Sequence, residues 1–225
     1  MTTDSVFYFL LLFFLGMLPS AVGDLAIRKV CSKEKKEDTA YKKIGVRDAC
    51  AVLLGGLSAV LAVLYEGQNI WGIITLYAIF LLFVIISFID LDTMLIHTAS
   101  IRIFLALTIV SFFTIPHTGW VSRLIGAFCV SVPMLLLALC IEGAFGGGDI
   151  RLMWVGGLLL GWKLTLMAMF FSFLCGGAVA IKIMLFEKKD KKSLFAFGPY
   201  LCMGMVLALF FGDRVLQWYL GFFNR

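Results

Sequence analysis

Two short stretches of this chain carry carboxylates within otherwise apolar sequence. Asp90 and Asp92 follow an uncharged run over residues 73–89, in FIDLDTMLIH, and Asp149 follows three glycines in EGAFGGGDIRL. Ionisable residues in or against membrane-spanning segments are costly, so each is a candidate functional group. Two facing carboxylates share a proton, because close like charges do not both ionise easily. One can then act as a general base on water and the other as a general acid, which is aspartic protease chemistry.

The glycines before Asp149 make it the stronger of the two signals. Gly146, Gly147 and Gly148 carry no side-chain bulk and permit positive φ, so another backbone, such as a substrate peptide, can approach closely. Irregular backbone at membrane depth is tolerated only where it is buried in protein or lines a wet cavity. A GxGD pattern alone is weak, but a second membrane-edge aspartate makes it specific. We therefore predict Asp90 and Asp149 as the catalytic pair, and the three glycines as an active-site loop.

Other catalytic chemistries have less support in the sequence. The two histidines, His97 and His117, belong to no HExxH motif and to no cluster with cysteines, so no metal site is predicted. His97 lies near Asp90 in sequence and either tunes its pKa or contacts substrate, or is an ordinary loop histidine, which we favour. Four of the six cysteines lie in apolar runs, where cysteine is usually a small hydrophobic residue.

The composition indicates the kind of protein that must position these aspartates. The chain of 225 residues is 62% hydrophobic and 15% charged, with a mean hydropathy of +1.02. Soluble domains are roughly 45–50% apolar and about a quarter charged. We predict an all-α polytopic membrane protein with about eight transmembrane helices, each needing about 20 apolar residues. The apolar runs lie near residues 5–23, 50–66, 71–89, 101–116, 122–141, 151–162, 164–181 and 194–212. The run at 151–162 is short and could span only half of the membrane.

The distribution of basic residues predicts the orientation. With eight spans, fifteen of the 19 Lys and Arg residues fall on one side, mainly in a loop at 28–48 and in the last polar loop. That side is predicted to be cytoplasmic, and both Asp90 and Asp149 face it. The net charge of +5 is thereby explained without nucleic acid. We predict one membrane-embedded domain over residues 1–225, whose first apolar run is a span rather than a signal peptide.

The quoted motifs resemble a known family. FIDLDTMLI followed by GGGDIRLMWVGGLLLGW is similar to the motifs of the type IV prepilin leader peptidases, which are GxGD membrane aspartic proteases. FAFGPYLCMG, residues 195–204, resembles the last-span signature of that family. The family pattern is GxGD with an aliphatic and a basic residue, here Ile150 and Arg151. Its first motif ends in a proline seven positions after the catalytic aspartate, which selects Asp90 rather than Asp92. His97 replaces that proline.

The resemblance implies a substrate and a location. The chain is expected to remove the basic leader from prepilins or type II secretion pseudopilins, after a glycine, at the cytoplasmic face of the bacterial inner membrane. Its partners would be this substrate and the lipid bilayer, and Asp92 and Arg151 would adjoin the active site. Many members also methylate the new N-terminus with S-adenosylmethionine and carry two CxxC pairs. Those pairs are missing here, so no cofactor is predicted unless methyl transfer is retained.

Two other classes of function are compatible with membrane aspartates. One is a transporter that uses Asp90 and Asp149 as a proton or cation relay. Both aspartates lie on one side, however, and no charged residue marks the bilayer midplane or an inverted repeat. The other is an assembly component without catalytic activity. The peptidase is the preferred interpretation.

Overall fold

The structure is a computed structural model that describes residues 44–66, 69–115, 118–141, 144–186 and 196–223. All regular structure in these ranges is α-helical. The helices are α1 Ile44–Glu66, α2 Ile70–Thr93, α3 Thr98–Thr114, α4 Trp120–Cys129, α5 Ser131–Cys140, α6 Gly147–Leu160, α7 Trp162–Phe186 and α8 Gly198–Phe223. The predicted span near 5–23 and most of the loop at 28–48 lie outside the described residues.

The all-helical membrane architecture is confirmed, but the count of eight spans is not supported by the part of the chain that the structure describes. Four helical segments there are long and apolar enough to cross a bilayer: Ile70–Thr93, Trp120–Cys140, Trp162–Lys182 and Gly198–Gly221. The second of them combines α4 and α5. The apolar segments Leu53–Tyr65 and Thr98–Thr114 are shorter. At 1.5 Å per residue, a 17-residue helix covers about 25 Å, less than the roughly 30 Å of a hydrocarbon core.

The chain divides into two compact units, one ending at Ile85 and the other beginning at Ile86. The first contains α1 and most of α2. The second contains the end of α2 and all of α3 to α8, and it holds both candidate aspartates. The candidate site therefore belongs to the second unit. The prediction of a single domain stays a prediction.

Helix α6 is the centre of the second unit. It packs against α3, α4, α5, α7 and α8, and from Leu152 onward almost all of its residues are buried. A helix that is apolar on every side is typical of such a central position. Its 14 residues cover about 21 Å, so it is the short element that the run at 151–162 predicts. It ends at Gly161, whose φ of 76° lies in the left-handed region that favours glycine.

Close backbone contact holds α6 against α4. A Cβ atom added to Gly126 would lie 2.5 Å from the carbonyl oxygen of Gly157 and 2.7 Å from the carbonyl carbon of Gly161. Only glycine permits this approach, which is how small residues bring helices together in membranes.

The interruption between α4 and α5 at Val130 has a separate cause. Pro133 provides no N–H for the carbonyl of Cys129, four residues earlier, and its ring disfavours a continuous helix there.

A buried arginine joins the far end of α6 to α3. Arg123, on α4, is 2% exposed. Its guanidinium donates hydrogen bonds to the carbonyl oxygens of Ile115 at 2.7 Å, Thr118 at 3.2 Å and Leu158 at 3.3 Å. It also lies 4.5 Å from the ring centre of Phe112. Carbonyls at helix C-termini lack partners within the helix and carry partial negative charge. The guanidinium of Arg123 therefore joins the ends of two helices.

The Arg123→Met variant is expected to lose about 2–5 kcal/mol of stability, because each buried carbonyl left without a donor costs about 1–3 kcal/mol. The thermal unfolding midpoint of the detergent-purified protein measures this loss. Arg102→Met is the matched control, since Arg102 is exposed on α3 and its replacement should cost less than about 0.5 kcal/mol. Equal midpoints for the two variants would contradict the role given to Arg123.

Candidate active site

Asp90 is held by the first residue of α8. Asp90 lies near the end of α2 and is 4% exposed. Its Oδ2 atom accepts a hydrogen bond of 2.9 Å from the backbone N–H of Gly198, a residue 108 positions later in the chain. The first N–H groups of a helix have no partner within the helix and carry partial positive charge. The buried carboxylate thus receives a donor without any basic side chain being brought to it.

This contact requires glycine at position 198. A Cβ atom there would lie 2.6 Å from Oδ2 of Asp90 and 3.0 Å from its Cγ. Sequence reasoning includes Gly198 in the FAFGPYLCMG motif but assigns it no role. The Gly-Pro pair at the beginning of an apolar run does indicate a helix start. Nothing in that local pattern indicates which carboxylate the helix would meet, because the partner is distant in sequence.

Asp149 is held in a similar way by the start of its own helix. It is the third residue of α6, and its Oδ2 accepts the N–H of the N-cap residue Gly146 at 3.2 Å. This is the reciprocal bond of a capping box, in which the N3 side chain returns to the N-cap backbone. Gly146 is extended, with φ −71° and ψ 143°. Within the described ranges Gly161 is the glycine with positive φ, so residues 146–148 do not use the left-handed conformation that glycine permits.

The three glycines differ in function. A Cβ atom on Gly148 would lie 2.8 Å from Cβ of Ile96, so this glycine allows the start of α6 to contact the segment that follows Asp90. A Cβ on Gly147 would meet nothing within 4 Å. The close contact at Gly148 is thus with the protein's own Ile96, whereas Gly147 has open space beside it. The predicted approach of a substrate backbone to the three glycines stays a prediction.

The segment after Asp90 forms a defined turn. The Oγ1 atom of Thr93 donates to the carbonyl of Ile89 at 2.8 Å, and it accepts the N–H of Leu95 at 3.3 Å. Met94 adopts a positive φ of 53°, which reverses the chain after α2. His97 is the N-cap of α3 with φ −67° and ψ 135°. A proline fixes φ near −65°, so histidine at this position keeps the backbone that the family's proline would impose.

The two carboxylates interact electrostatically. Burial, and then the negative charge of Asp90, raise the pKa of Asp149 from its ordinary 3.8 to about 6, while the Gly146 N–H lowers it. Interaction of this kind is what makes a carboxylate pair titrate as one unit that shares a proton. The structure therefore brings together the two aspartates that the sequence selects, from the end of α2 and the start of α6.

The other predicted site residues lie at the margin. Asp92 is exposed, unlike Asp90 two positions earlier, and Arg151 is exposed just past the first turn of α6. Among the described residues, no group of three or more His, Cys, Asp or Glu side chains could hold a metal ion. Phe145, Phe173 and Phe197 surround the starts of α6 and α8 and were missed by sequence reasoning, because phenylalanine is common throughout the chain.

Comparison with known proteins identifies relatives of this part of the chain. Residues 75–181 match the sequence model of a family described as the Type IV leader peptidase family. A protein of Bacillus subtilis (strain 168) named "Prepilin leader peptidase/N-methyltransferase" is 30% identical over 139 residues, which are 62% of this chain and 56% of that protein. Proteins with the same name from Legionella pneumophila and Aeromonas hydrophila are 30% and 33% identical over 77 and 75 residues.

The similarity covers only part of those relatives. The chain spans about half the length of the Bacillus protein, and 27% and 26% of the Legionella and Aeromonas proteins. No solved structure matches the chain significantly. None of these relatives is named as a transporter, so the comparisons give the relay hypothesis no support.

Stability should fall as the pH rises through the pKa of Asp149. The folded state keeps a proton on Asp149 up to about pH 6, whereas the unfolded chain releases it near pH 3.8. The stability that this proton provides is therefore complete below pH 3.8 and lost as the pH passes 6. Thermal unfolding in detergent between pH 4 and about pH 7 should show a larger decrease for the wild type than for Asp149→Asn. Identical slopes would contradict the raised pKa.

Alanine at position 198 should displace the Asp90 carboxylate. Because misplacement of a reacting group by about 1 Å can cost about 10²-fold in rate, Gly198→Ala should reduce peptide cleavage by about that factor. The kcat/KM of purified protein measures the effect. Gly221→Ala is the control in the same helix, since a Cβ there meets nothing within 4 Å, and it should cleave like the wild type. Full activity of Gly198→Ala would show that the close contact with Asp90 is unimportant.

Proposed function

We propose a prepilin peptidase activity for this chain, whose residues 75–181 belong to the Type IV leader peptidase family. The proposed reaction is hydrolysis of one peptide bond by the Asp90–Asp149 pair. The observation that carries the proposal is the meeting of these carboxylates at the starts of two helices. Each accepts a backbone N–H, from Gly198 and Gly146, and the charge of Asp90 favours the protonated form of Asp149.

The environments of the two carboxylates support different roles. Because burial and the negative charge of Asp90 favour a proton on Asp149, we assign Asp90, which accepts the N–H of Gly198, as the general base. It removes a proton from water as the water oxygen attacks the scissile carbonyl carbon. Asp149, which keeps its proton up to about pH 6, is the general acid and donates that proton to the leaving amide nitrogen as the C–N bond breaks. Such a pair is typical of aspartic proteases.

The proposed substrates are prepilins or type II secretion pseudopilins. A basic leader is attracted to a site with one shared negative charge, and the apolar segment that follows it can lie along lipid-facing helices. Exposed apolar side chains suited to such contact occur on the described helices, for example Leu139 and Leu174. We further propose cleavage after a glycine, at the cytoplasmic face of the bacterial inner membrane. The Lys and Arg distribution supports this orientation.

Hydrolysis by two carboxylates requires neither a metal ion nor S-adenosylmethionine. The relatives named above carry N-methyltransferase in their names as well. We propose no methyl transfer for this chain, because the loop at 28–48 lacks the CxxC pairs of the bifunctional members. The cleavage assay therefore contains a chelator and no S-adenosylmethionine.

Substitution of the individual aspartates tests the proposal. A synthetic prepilin should be trimmed by the detergent-purified wild type. Asp90→Asn and Asp149→Asn should each reduce kcat by at least about 10²–10⁴-fold, the usual loss for a general acid or base. The double variant should be little worse than either, because groups that act as a unit are non-additive. The rates are obtained by measuring the amount of trimmed peptide at successive times by mass spectrometry.

Asp92→Asn is the matched control. It makes the same chemical change two residues from Asp90, at an exposed position, and should retain most of the activity. An inactive Asp92→Asn with an active Asp90→Asn would overturn the assignment of the first carboxylate. Unchanged cleavage by both Asp90→Asn and Asp149→Asn would overturn the two-aspartate mechanism itself.

A further inference from the structure

Each catalytic carboxylate is bound by a glycine that directly follows a phenylalanine. Phe145 precedes Gly146, whose N–H binds Asp149, and Phe197 precedes Gly198, whose N–H binds Asp90. The two phenylalanines therefore mark the starts of α6 and α8. A shift of the backbone that carries either ring moves the neighbouring donor, and with it the carboxylate that the donor holds.

The two rings contact each other and a third ring. The ring centres of Phe145 and Phe197 are 6.1 Å apart. Phe173, on α7, lies 6.3 Å from Phe145 and 5.9 Å from Phe197. These spacings fall in the range of favourable aromatic pairs. The three rings thus form a closed triangle between α6, α7 and α8.

Helix α7 supports this triangle from a fixed position. A Cβ atom on Gly176 would lie 2.9 Å from Cε2 of Phe197, so α7 presents a flat backbone surface to that ring. Further along the same two helices, a Cβ on Gly204 would lie 2.5 Å from the carbonyl oxygen of Ala168. Because α7 and α8 are in close backbone contact, Phe173 can act as a fixed reference for the start of α8.

We propose that Phe145, Phe173 and Phe197 form an aromatic clamp, which fixes the separation of the starts of α6 and α8 and thereby the positions of Asp149 and Asp90. The effect of the clamp on catalysis rests on the proposed peptidase function. Its structural part, the fixed separation of two helix starts, is independent of that function. The three phenylalanines are positioning residues, since they act through Gly146 and Gly198 on the carboxylates.

Phe173 is the member of the clamp best suited to a test. It belongs to neither Phe-Gly pair, so its replacement leaves both backbone donors and their glycines unchanged. Its ring is 49% exposed, which limits the loss of buried area on truncation. Phe170 provides a matched control on the same helix, because it is 52% exposed and its ring pairs with Phe171, at 5.6 Å, outside the triangle.

The first experiment compares cleavage kinetics of the full chain in detergent. Phe173→Ala should reduce kcat by about tenfold or more with little change in KM, because a misplaced pair slows chemistry rather than substrate binding. Phe173→Tyr keeps the ring and should restore kcat, and Phe170→Ala should match the wild type. Phe173→Leu replaces Phe173→Ala if the latter does not purify as a folded protein.

The second experiment measures the separation without activity. Spin labels are attached to cysteines at Gly147 and Ala196, next to the two helix starts, in a background without the natural cysteines. A Cβ at Gly147 meets nothing within 4 Å, so this label is accommodated. Dipolar broadening should report a narrow distance distribution in the wild-type and Phe170→Ala backgrounds, and a broader one in Phe173→Ala.

The outcomes separate the clamp from the proposed function. A reduced kcat together with a broadened distribution supports the clamp. A changed KM that depends on the residue beside the scissile bond, with unchanged label distances, would show that Phe173 contacts substrate and would overturn it. Kinetics and distances like those of Phe170→Ala would also overturn it. If the wild type fails to cleave a prepilin, the proposed function is wrong. The label distances still show whether the three rings fix the separation of the two helix starts.

Discussion

A carboxylate buried among apolar helices requires hydrogen-bond donors, and the candidate site depends on how they are supplied. Here they are backbone N–H groups at the beginnings of two helices, Gly198 for Asp90 and Gly146 for Asp149. Such donors bring partial positive charge without a second ionised side chain in the apolar region. Glycine at position 198 is required, because the carboxylate occupies the space that a Cβ would fill. The positions of the carboxylates follow from the positions of the helix starts.

The position of the α6 start follows in turn from the packing of that helix. Helix α6 is short, almost all of its residues from Leu152 onward are buried, and five other helices of its unit contact it. Gly157 brings its backbone against Gly126, and the Arg123 guanidinium binds its last turn through the Leu158 carbonyl. A helix held along its length and at its C-terminal end has little freedom to shift. Its N-terminus, with Asp149, is therefore a suitable site for chemistry that requires fixed geometry.

The surroundings of Asp149 support the proposed division of roles. Burial and the negative charge of Asp90 favour the protonated form of Asp149. The proposed roles of general acid and general base follow from this preference. The aromatic contacts among Phe145, Phe173 and Phe197 connect the two helix starts that create these surroundings.

The sequence by itself determined the helical membrane class and the short element near residues 151–162, and it selected Asp90 and Asp149 as candidates. These follow from composition and from the local cost of charge in apolar sequence, which can be evaluated residue by residue. Only the tertiary structure decided that Gly198 binds Asp90, that Gly148 rather than Gly147 makes a close contact, and that Arg123 joins helix ends. It also decided which apolar runs in the described ranges form helices long enough to span a membrane. The reason is that hydrogen bonds and close contacts of this kind depend on which residues lie near each other in the fold. The two partners can be 108 residues apart in sequence, as Asp90 and Gly198 are.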